Sequence, residues 1–185
     1  MFTRTQRLLL RPGWPEDWRA LAGAMNDEGI VCNLARAPWP YTDQDAREFA
    51  NREQDPLYPV FFLTLPGDQG SELIGACGID KCGDDVELGY WVARPHWGKG
   101  YASEAGRAVA DIAAVLGHTR LVAAHFADNP ASGRVLEKIG FTATGGSVMR
   151  YSKGRDAKAM TYEFAMDLAA LTPEPASHEL QPLAA

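Results

Sequence analysis

Residues 87–102, ELGYWVARPHWGKGYA, set three chemical features side by side. A carboxylate, Glu87, opens an aromatic run. Two glycines, Gly98 and Gly100, flank Lys99. Apolar spacing of helical type then begins at Tyr101. Neither glycine carries a Cβ, so the backbone there can come close to a ligand. A glycine turn that opens a helix gathers unpaired amide N–H groups at the positive end of the helix dipole, which suits a phosphate or pyrophosphate. Further along, Asp128-Asn129-Pro130-Ala131-Ser132 runs into Val135-Leu136-Glu137-Lys138-Ile139-Gly140-Phe141. Taken alone, Asn129 there is a helix cap with proline in the first turn, and Ser132 a solvated first-turn residue.

Several other chemistries are excluded or disfavoured. A nucleotide P-loop needs GxxxxGK[ST], which the chain lacks, and a GxGxxG fingerprint fails because position 103 is Ser103. The three cysteines (Cys32, Cys77, Cys82) form no CxxC, and the four histidines form no HExxH, so no metal site is expected. Cys77 lies in an apolar run and reads as inert core. A net charge of −6 disfavours nucleic acid as a partner and is compatible with a cationic one. No apolar run reaches the length of a membrane span. The N-terminal MFTRTQRLLLRPGW lacks the core of a signal peptide, so a soluble, cytoplasmic protein with no membrane partner is expected.

The elements that must position these residues follow from periodicity and breakers. Strands are expected at Thr5–Arg11, Tyr58–Leu65, Ser71–Asp80, from Glu87, at Arg120–Phe126, and as a final hairpin of Phe141–Tyr151 with Ala159–Leu168. Helices are expected at Pro15–Met25, after a cap at Thr42 or Asp43, from Tyr101 to Leu116, and from Asn129-Pro130 to Ile139. The prolines of Ala35–Tyr41 make that stretch a loop. Its Trp39 either covers a pocket or plugs the core between the first two helices. The acidic residues beside it (Asp43, Asp45, Glu48) either attract an amine or form a solvated helix face. The hydrophobic share of 46% supports a single core in a single domain, 1–170, with 171–185 a loosely ordered tail. The expected architecture is mixed α/β (α+β), one sheet with helices on its faces.

Together, ELGYWVARPHWGKGYASEA and NPASGRVLEKIGF resemble the GNAT superfamily of acetyl-CoA-dependent N-acetyltransferases. TQRLLLRP at the start and YTDQDA after the proline loop are most similar to its ribosomal-protein-alanine (RimJ/RimL-type) branch. The resemblance spans residues 3 to 168. It implies a central, mostly antiparallel sheet of about seven strands flanked by about four helices. It implies acetyl-CoA as acyl donor, and an amine acceptor that is either a protein N-terminus or a small molecule. The family's phosphate cradle, Arg/Gln-x-x-Gly-x-Gly/Ala, falls on Trp97, Gly98, Lys99, Gly100, Tyr101 and Ala102, with Trp97 departing from Arg/Gln. Trp91 and Val92 would pair edge-on with the pantetheine amides, Asn129 would bond the pantetheine arm, and Ser132 would lie near the coenzyme sulfur.

A thioester is activated enough for direct attack by a neutral amine in a ternary complex, without a protein nucleophile. The protein must then supply a base, a polarised carbonyl and a protonated leaving thiolate. Glu87, directly or through water, is the candidate base, set against an ordinary solvent-facing strand glutamate. The acid is left open: family members carry a tyrosine where this chain has Leu136, and Ser132 could instead stabilise the thiolate or relay a proton from water. A backbone N–H near Val92 would meet the thioester carbonyl oxygen. Two other classes compete with this reading, a silent acyl-CoA-binding module and a partner-binding domain without coenzyme. A homodimer is left open.

Overall fold

A computed structural model of the chain describes residues 1–68 and 70–169. The expected tail at 171–185 lies outside them. One sheet of eight strands runs through the molecule. In chain order these are β1 (Thr3–Arg4), β2 (Leu9–Arg11), β3 (Val60–Gly67), β4 (Gly70–Cys82), β5 (Asp85–Val92), β6 (Arg120–Phe126), β7 (Thr142–Ser152) and β8 (Ala157–Asp167). Their spatial order is β1-β2-β3-β4-β5-β6-β8-β7, and every neighbouring pair is antiparallel except β5 with β6. The helices are α1 (Trp18–Met25), α2 (Glu28–Val31), α3 (Asp43–Ala50), α4 (Tyr101–Val115) and α5 (Pro130–Ile139). The mixed α/β reading therefore holds, with one more strand and one more helix than expected.

Two apolar clusters lie on opposite faces of the sheet. One packs Ile74, Leu88, Val92 and Leu121 against Ala105, Val109 and Ala113 of α4 and Leu136 of α5. The other packs Phe62, Ala76 and Trp91 under Leu21 and Met25 of α1 and Ala46 and Ala50 of α3. Because both faces are covered, β3 and β4 read as unbroken apolar runs rather than as alternating ones. On β5 the alternation survives: Leu88, Tyr90 and Val92 face α4 and α5, while Trp91 faces α1 and α3.

The differences from expectation have local causes. The first strand divides because residues 5–8 turn, with the Thr5 amide on the Leu8 carbonyl at 2.9 Å and the Arg7 side chain drawn towards α4. Helix α2 is a single turn capped by Asp27, whose carboxylate accepts from the Gly29 amide at 2.9 Å, too short to show a period. Thr42 is the cap of α3, in a reciprocal box with Asp45. Trp39 packs against the α1–α3 cluster, so it is the core plug of the two alternatives. Among the described residues no helix is long and apolar enough to cross a membrane.

Candidate active site

Strands β5 and β6 share one paired position, Glu87 with Val122. Past it, Leu88–Val92 and Ala123–Phe126 diverge, and the sheet forks. The Ala93 amide donates to Ile74 on β4 at 2.7 Å. A Cβ on Gly75 of β4 would sit 2.3 Å from the Trp91 carbonyl oxygen. Peptide groups alternate along a strand, so Trp91 points its backbone at β4, whereas Tyr90 and Val92 turn theirs to the open edge. The Val92 carbonyl there accepts from the Trp97 indole at 2.6 Å. Of the two residues expected to meet a ligand edge-on, only Val92 has its backbone on the fork; Trp91 offers its ring.

A cavity of about 580 Å³ opens at this fork, and Glu87, Tyr90, Trp91, Asn129, Ser132 and Arg150 are among the residues that line it. Both expected catalytic residues thus share one space. The Glu87 carboxylate, 17% exposed, is ion-paired with the Arg150 guanidinium of β7. An aromatic setting was expected for it; the fold adds a cation. Arg150 lies far along the chain in a segment without a motif, so no local signal announced it.

Asn129 caps α5, its Oδ1 accepting from the Ser132 amide at 3.3 Å. The Tyr90 hydroxyl lies 2.8 Å from Ser132 Oγ and 3.0 Å from the Ser132 carbonyl oxygen. One phenolic proton serves one acceptor at a time, so donation to the carbonyl leaves the serine to donate to the phenol oxygen. Burial, opposed by the Ser132 hydrogen bond, pushes the Tyr90 hydroxyl well above its usual range, so it stays protonated. Tyr90 went unread because its aromatic neighbours make it look like strand filler.

At the far end of β5 lies the glycine turn. Gly98 and Gly100 have φ of 73° and 83°, left-handed values that favour glycine, and Gly100 is the N-terminal cap of α4. The first-turn amides of Tyr101, Ala102 and Ser103 have no partner within the helix. The Ser103 hydroxyl, 5% exposed, also lacks a partner. A Cβ at Gly98 would meet nothing within 4 Å, so the cradle is open above that residue. Open space, free amides and an orphan hydroxyl fit a pyrophosphate. Arg7 braces the turn, donating to the Lys99 carbonyl at 2.8 Å and bonding Glu104 at 2.6 Å. Trp97 is held by its indole bond and by Arg94, whose guanidinium carbon lies 4.6 Å from the ring centroid.

The other wall belongs to α1, α3 and the proline loop: Leu21, Met25, Arg36, Tyr41, Phe49 and Arg52 line the cavity there. Asp45 and Glu48 reach it as well, but Asp43 is not among its lining residues. Asp45 is engaged in the α3 cap, and Glu48 accepts from Gln44 at 2.9 Å. The Cys77 thiol borders the cavity, yet burial pushes it up to about 12, which keeps it un-ionised and a poor nucleophile.

The family model for an acetyltransferase (GNAT) domain matches residues 7–142. The chain is 28% identical to the uncharacterized N-acetyltransferase p20 of Bacillus licheniformis, over 88% of this chain and 93% of that one. Its fold is similar to that of a GNAT-family acetyltransferase from Bacillus anthracis, with a TM-score of 0.77 and 26% identity over 91% of this chain and 99% of the other. It is also similar in fold to the spermidine N-acetyltransferase of Vibrio cholerae solved with CoA and spermine, at a TM-score of 0.71 and 19% identity over 89% and 98%.

Proposed function

We propose, starting from the fact that the chain belongs to the GNAT acetyltransferase family, that it transfers the acetyl group of acetyl-CoA to a primary amine at the β5–β6 fork. One observation carries this reading. The fork opens immediately beyond Glu87, and the same strand leads at its other end to the glycine turn. A diphosphate at the turn would thus be joined along one strand edge to a thioester beside a carboxylate. The pyrophosphate would lie on the amides of residues 98–102, with Ser103 as a further donor. The pantetheine arm would run along the open edge at Tyr90 and Val92 as a short added strand, towards Asn129.

In the transfer, Glu87 takes a proton from the incoming ammonium, directly or through water, and the neutral nitrogen forms its bond to the thioester carbonyl carbon. The C–S bond then breaks, the thiolate takes a proton from the Ser132–Tyr90 pair, and the second proton shed by the nitrogen returns through water to that pair, so that the net products are the amide and the free thiol. Ser132 faces that sulfur; when the Tyr90 proton turns from the Ser132 carbonyl to Ser132 Oγ, the serine is free to donate to the sulfur and Tyr90 replenishes its proton. Tyr90 thereby fills the part left open when the helix carries Leu136 instead of a tyrosine. The sequence motifs support a place in the RimJ/RimL-type branch.

The test is direct. Acetyl-CoA at 100 times Kd should add about 2.7 kcal/mol to stability, and labelled acetyl groups should pass to some member of a panel of amines and N-terminal peptides. No thermal shift would leave a partner-binding domain. A shift without transfer, unchanged in Glu87→Gln, would leave a silent acyl-CoA-binding module.

A further inference from the structure

We infer that Arg155 is a positioning residue for the transfer: from outside the cavity it fixes the β6–α5 turn, and through that turn Ser132, against the acceptor wall. This rests on the acetyltransferase reading above and deepens it. Arg155 stands in the hairpin between β7 and β8 and is not among the residues that line the cavity. Its Nε donates to the Cys32 carbonyl at 2.6 Å. Its two terminal nitrogens grip the Asp128 carboxylate in bidentate fashion, at 2.6 and 2.9 Å, and one of them also donates to Asn33 Oδ1 at 3.3 Å. The Asn33 side-chain nitrogen donates to the Gly29 carbonyl at 2.7 Å, which leaves Oδ1 for the guanidinium. The guanidinium carbon lies 4.5 Å from the centroid of the Phe126 ring, at the end of β6. Among the described residues no other side chain bonds both residues 32–36 and residues 127–132.

The bridge joins two walls of the cavity. Asn33, Leu34 and Ala35 line it on the acceptor side, Asn129 and Ser132 at the fork. The acceptor side keeps its seat without Arg155. The hydroxyl of Ser152, a fully buried residue, donates to the Leu34 carbonyl at 2.8 Å, and the Lys153 amide donates to the Ala35 carbonyl at 3.0 Å. The β6–α5 turn has less to hold it. Its Ala127 amide donates to Met160 at 2.9 Å, but the Asn129 amide bonds only Phe126, within the turn. The Asn129 cap meets the Ser132 amide at 3.3 Å, beyond the usual N–H···O span. The Tyr90 bonds to Ser132 change partner in the proton relay, so Ser132 must be steadied from elsewhere. The ion pair of Arg155 with Asp128 supplies that anchor, one residue before the cap. A misplacement of about 1 Å at a reacting group costs on the order of a hundredfold in rate.

The experiment measures single-turnover acetyl transfer, to an amine of the panel that the wild type accepts, for Arg155→Met and Asp128→Ala, each alone and combined with Ser132→Ala. The Asp128 side chain is 62% exposed, so Asp128→Ala breaks the pair while removing little packing, and it carries the test if Arg155→Met does not fold. Both substitutions are expected to slow transfer by about tenfold or more, with the Kd for acetyl-CoA nearly unchanged. In the Ser132→Ala background each is expected to cost less than about twofold further. A general loosening of the fold does not give that pattern, since it lowers the rate by the same factor in both backgrounds. Equal factors in the two backgrounds overturn the inference, as does transfer at the wild-type rate in folded Asp128→Ala protein. Either result leaves the acetyltransferase reading standing, whereas no transfer by the wild type to any amine of the panel ends both.

Discussion

The Tyr90 hydroxyl and Ser132 Oγ lie 2.8 Å apart, joining strand β5 to the first turn of α5 across the mouth of the fork. The two groups come from the two motifs most visible in the sequence, yet only the fold brings them into contact. A serine hydroxyl alone is a poor acid, and a buried tyrosine that stays protonated behind it is a proton reserve.

Tyr90→Phe should therefore lower kcat by about tenfold or more, with acetyl-CoA affinity nearly unchanged. Ser132→Ala should do the same. The double variant should cost little beyond either single one, because the two act as a unit. Additive losses, measured by single-turnover acetyl transfer, would mean that Tyr90 and Ser132 act independently and not as one proton relay. Because the phenol titrates above its ordinary range, the pH–rate profile should show no fall from Tyr90 ionisation below about pH 10.

Glu87→Gln keeps the shape of the side chain and removes its basicity. The expected loss in kcat is about 10²- to 10⁴-fold, the span of general base catalysis. The Kd for acetyl-CoA, followed by calorimetry, should stay within error, since the glycine turn lies at the other end of β5. Equal losses in both would assign Glu87 and its partner Arg150 to holding the fork together instead.

Gly100→Asp should weaken acetyl-CoA binding by at least about tenfold, for two separable reasons: φ is 83°, and the new carboxylate would face the pyrophosphate. Gly100→Asn isolates the second, because asparagine tolerates left-handed backbone and carries no charge. Binding retained in the asparagine variant and lost in the aspartate one would locate the anion at this turn. Equal binding in both would place the pyrophosphate elsewhere.

How much of this was legible depended on whether a feature is local. The glycine turn, the Asn129 cap and the final hairpin each rest on a few neighbouring residues and appear where the sequence placed them, and of the two caps offered for α3 the structure takes Thr42. The carboxylate at Glu87 was readable as strand chemistry, but its Arg150 partner was not, since ion pairs between distant strands have no sequence period. Arg7 shows the same limit from the other side. Its strand was expected to continue, yet Glu104 on α4 holds it by backbone and side chain, and the strand breaks there. The choice between pocket cover and core plug for Trp39 turned on packing alone, and the apolar cluster over α1 and α3 decided it.

Cys77 should be dispensable for chemistry. Cys77→Ala is expected to retain transfer while costing about 1 kcal/mol of stability for the buried volume lost. Iodoacetamide should label Cys77 in the unfolded chain and spare it in the folded one, because its thiol is buried and pushed up to about 12. Abolished transfer in a folded Cys77→Ala protein would point to an acyl-enzyme on that sulfur.

The last prediction concerns acid. Burial alone would raise the Glu104 carboxyl, but the Thr5 hydroxyl and the Arg7 amide and guanidinium outweigh it and hold it below the usual carboxylate value of 4.5. A carboxyl lowered on folding adds stability that is fully present above its unfolded value and is lost as pH falls through its folded one. The melting temperature should thus drop as pH goes below about 4.5, and acetyl-CoA binding should weaken with it, because Arg7 is held on Lys99 by the same carboxylate. Asp27, Asp80 and Asp128 are lowered as well, so the informative quantity is the difference between the wild type and Glu104→Gln. That difference should be largest at neutral pH and close as the solution is acidified. A constant gap across the range would mean that Glu104 contributes shape rather than charge to the turn.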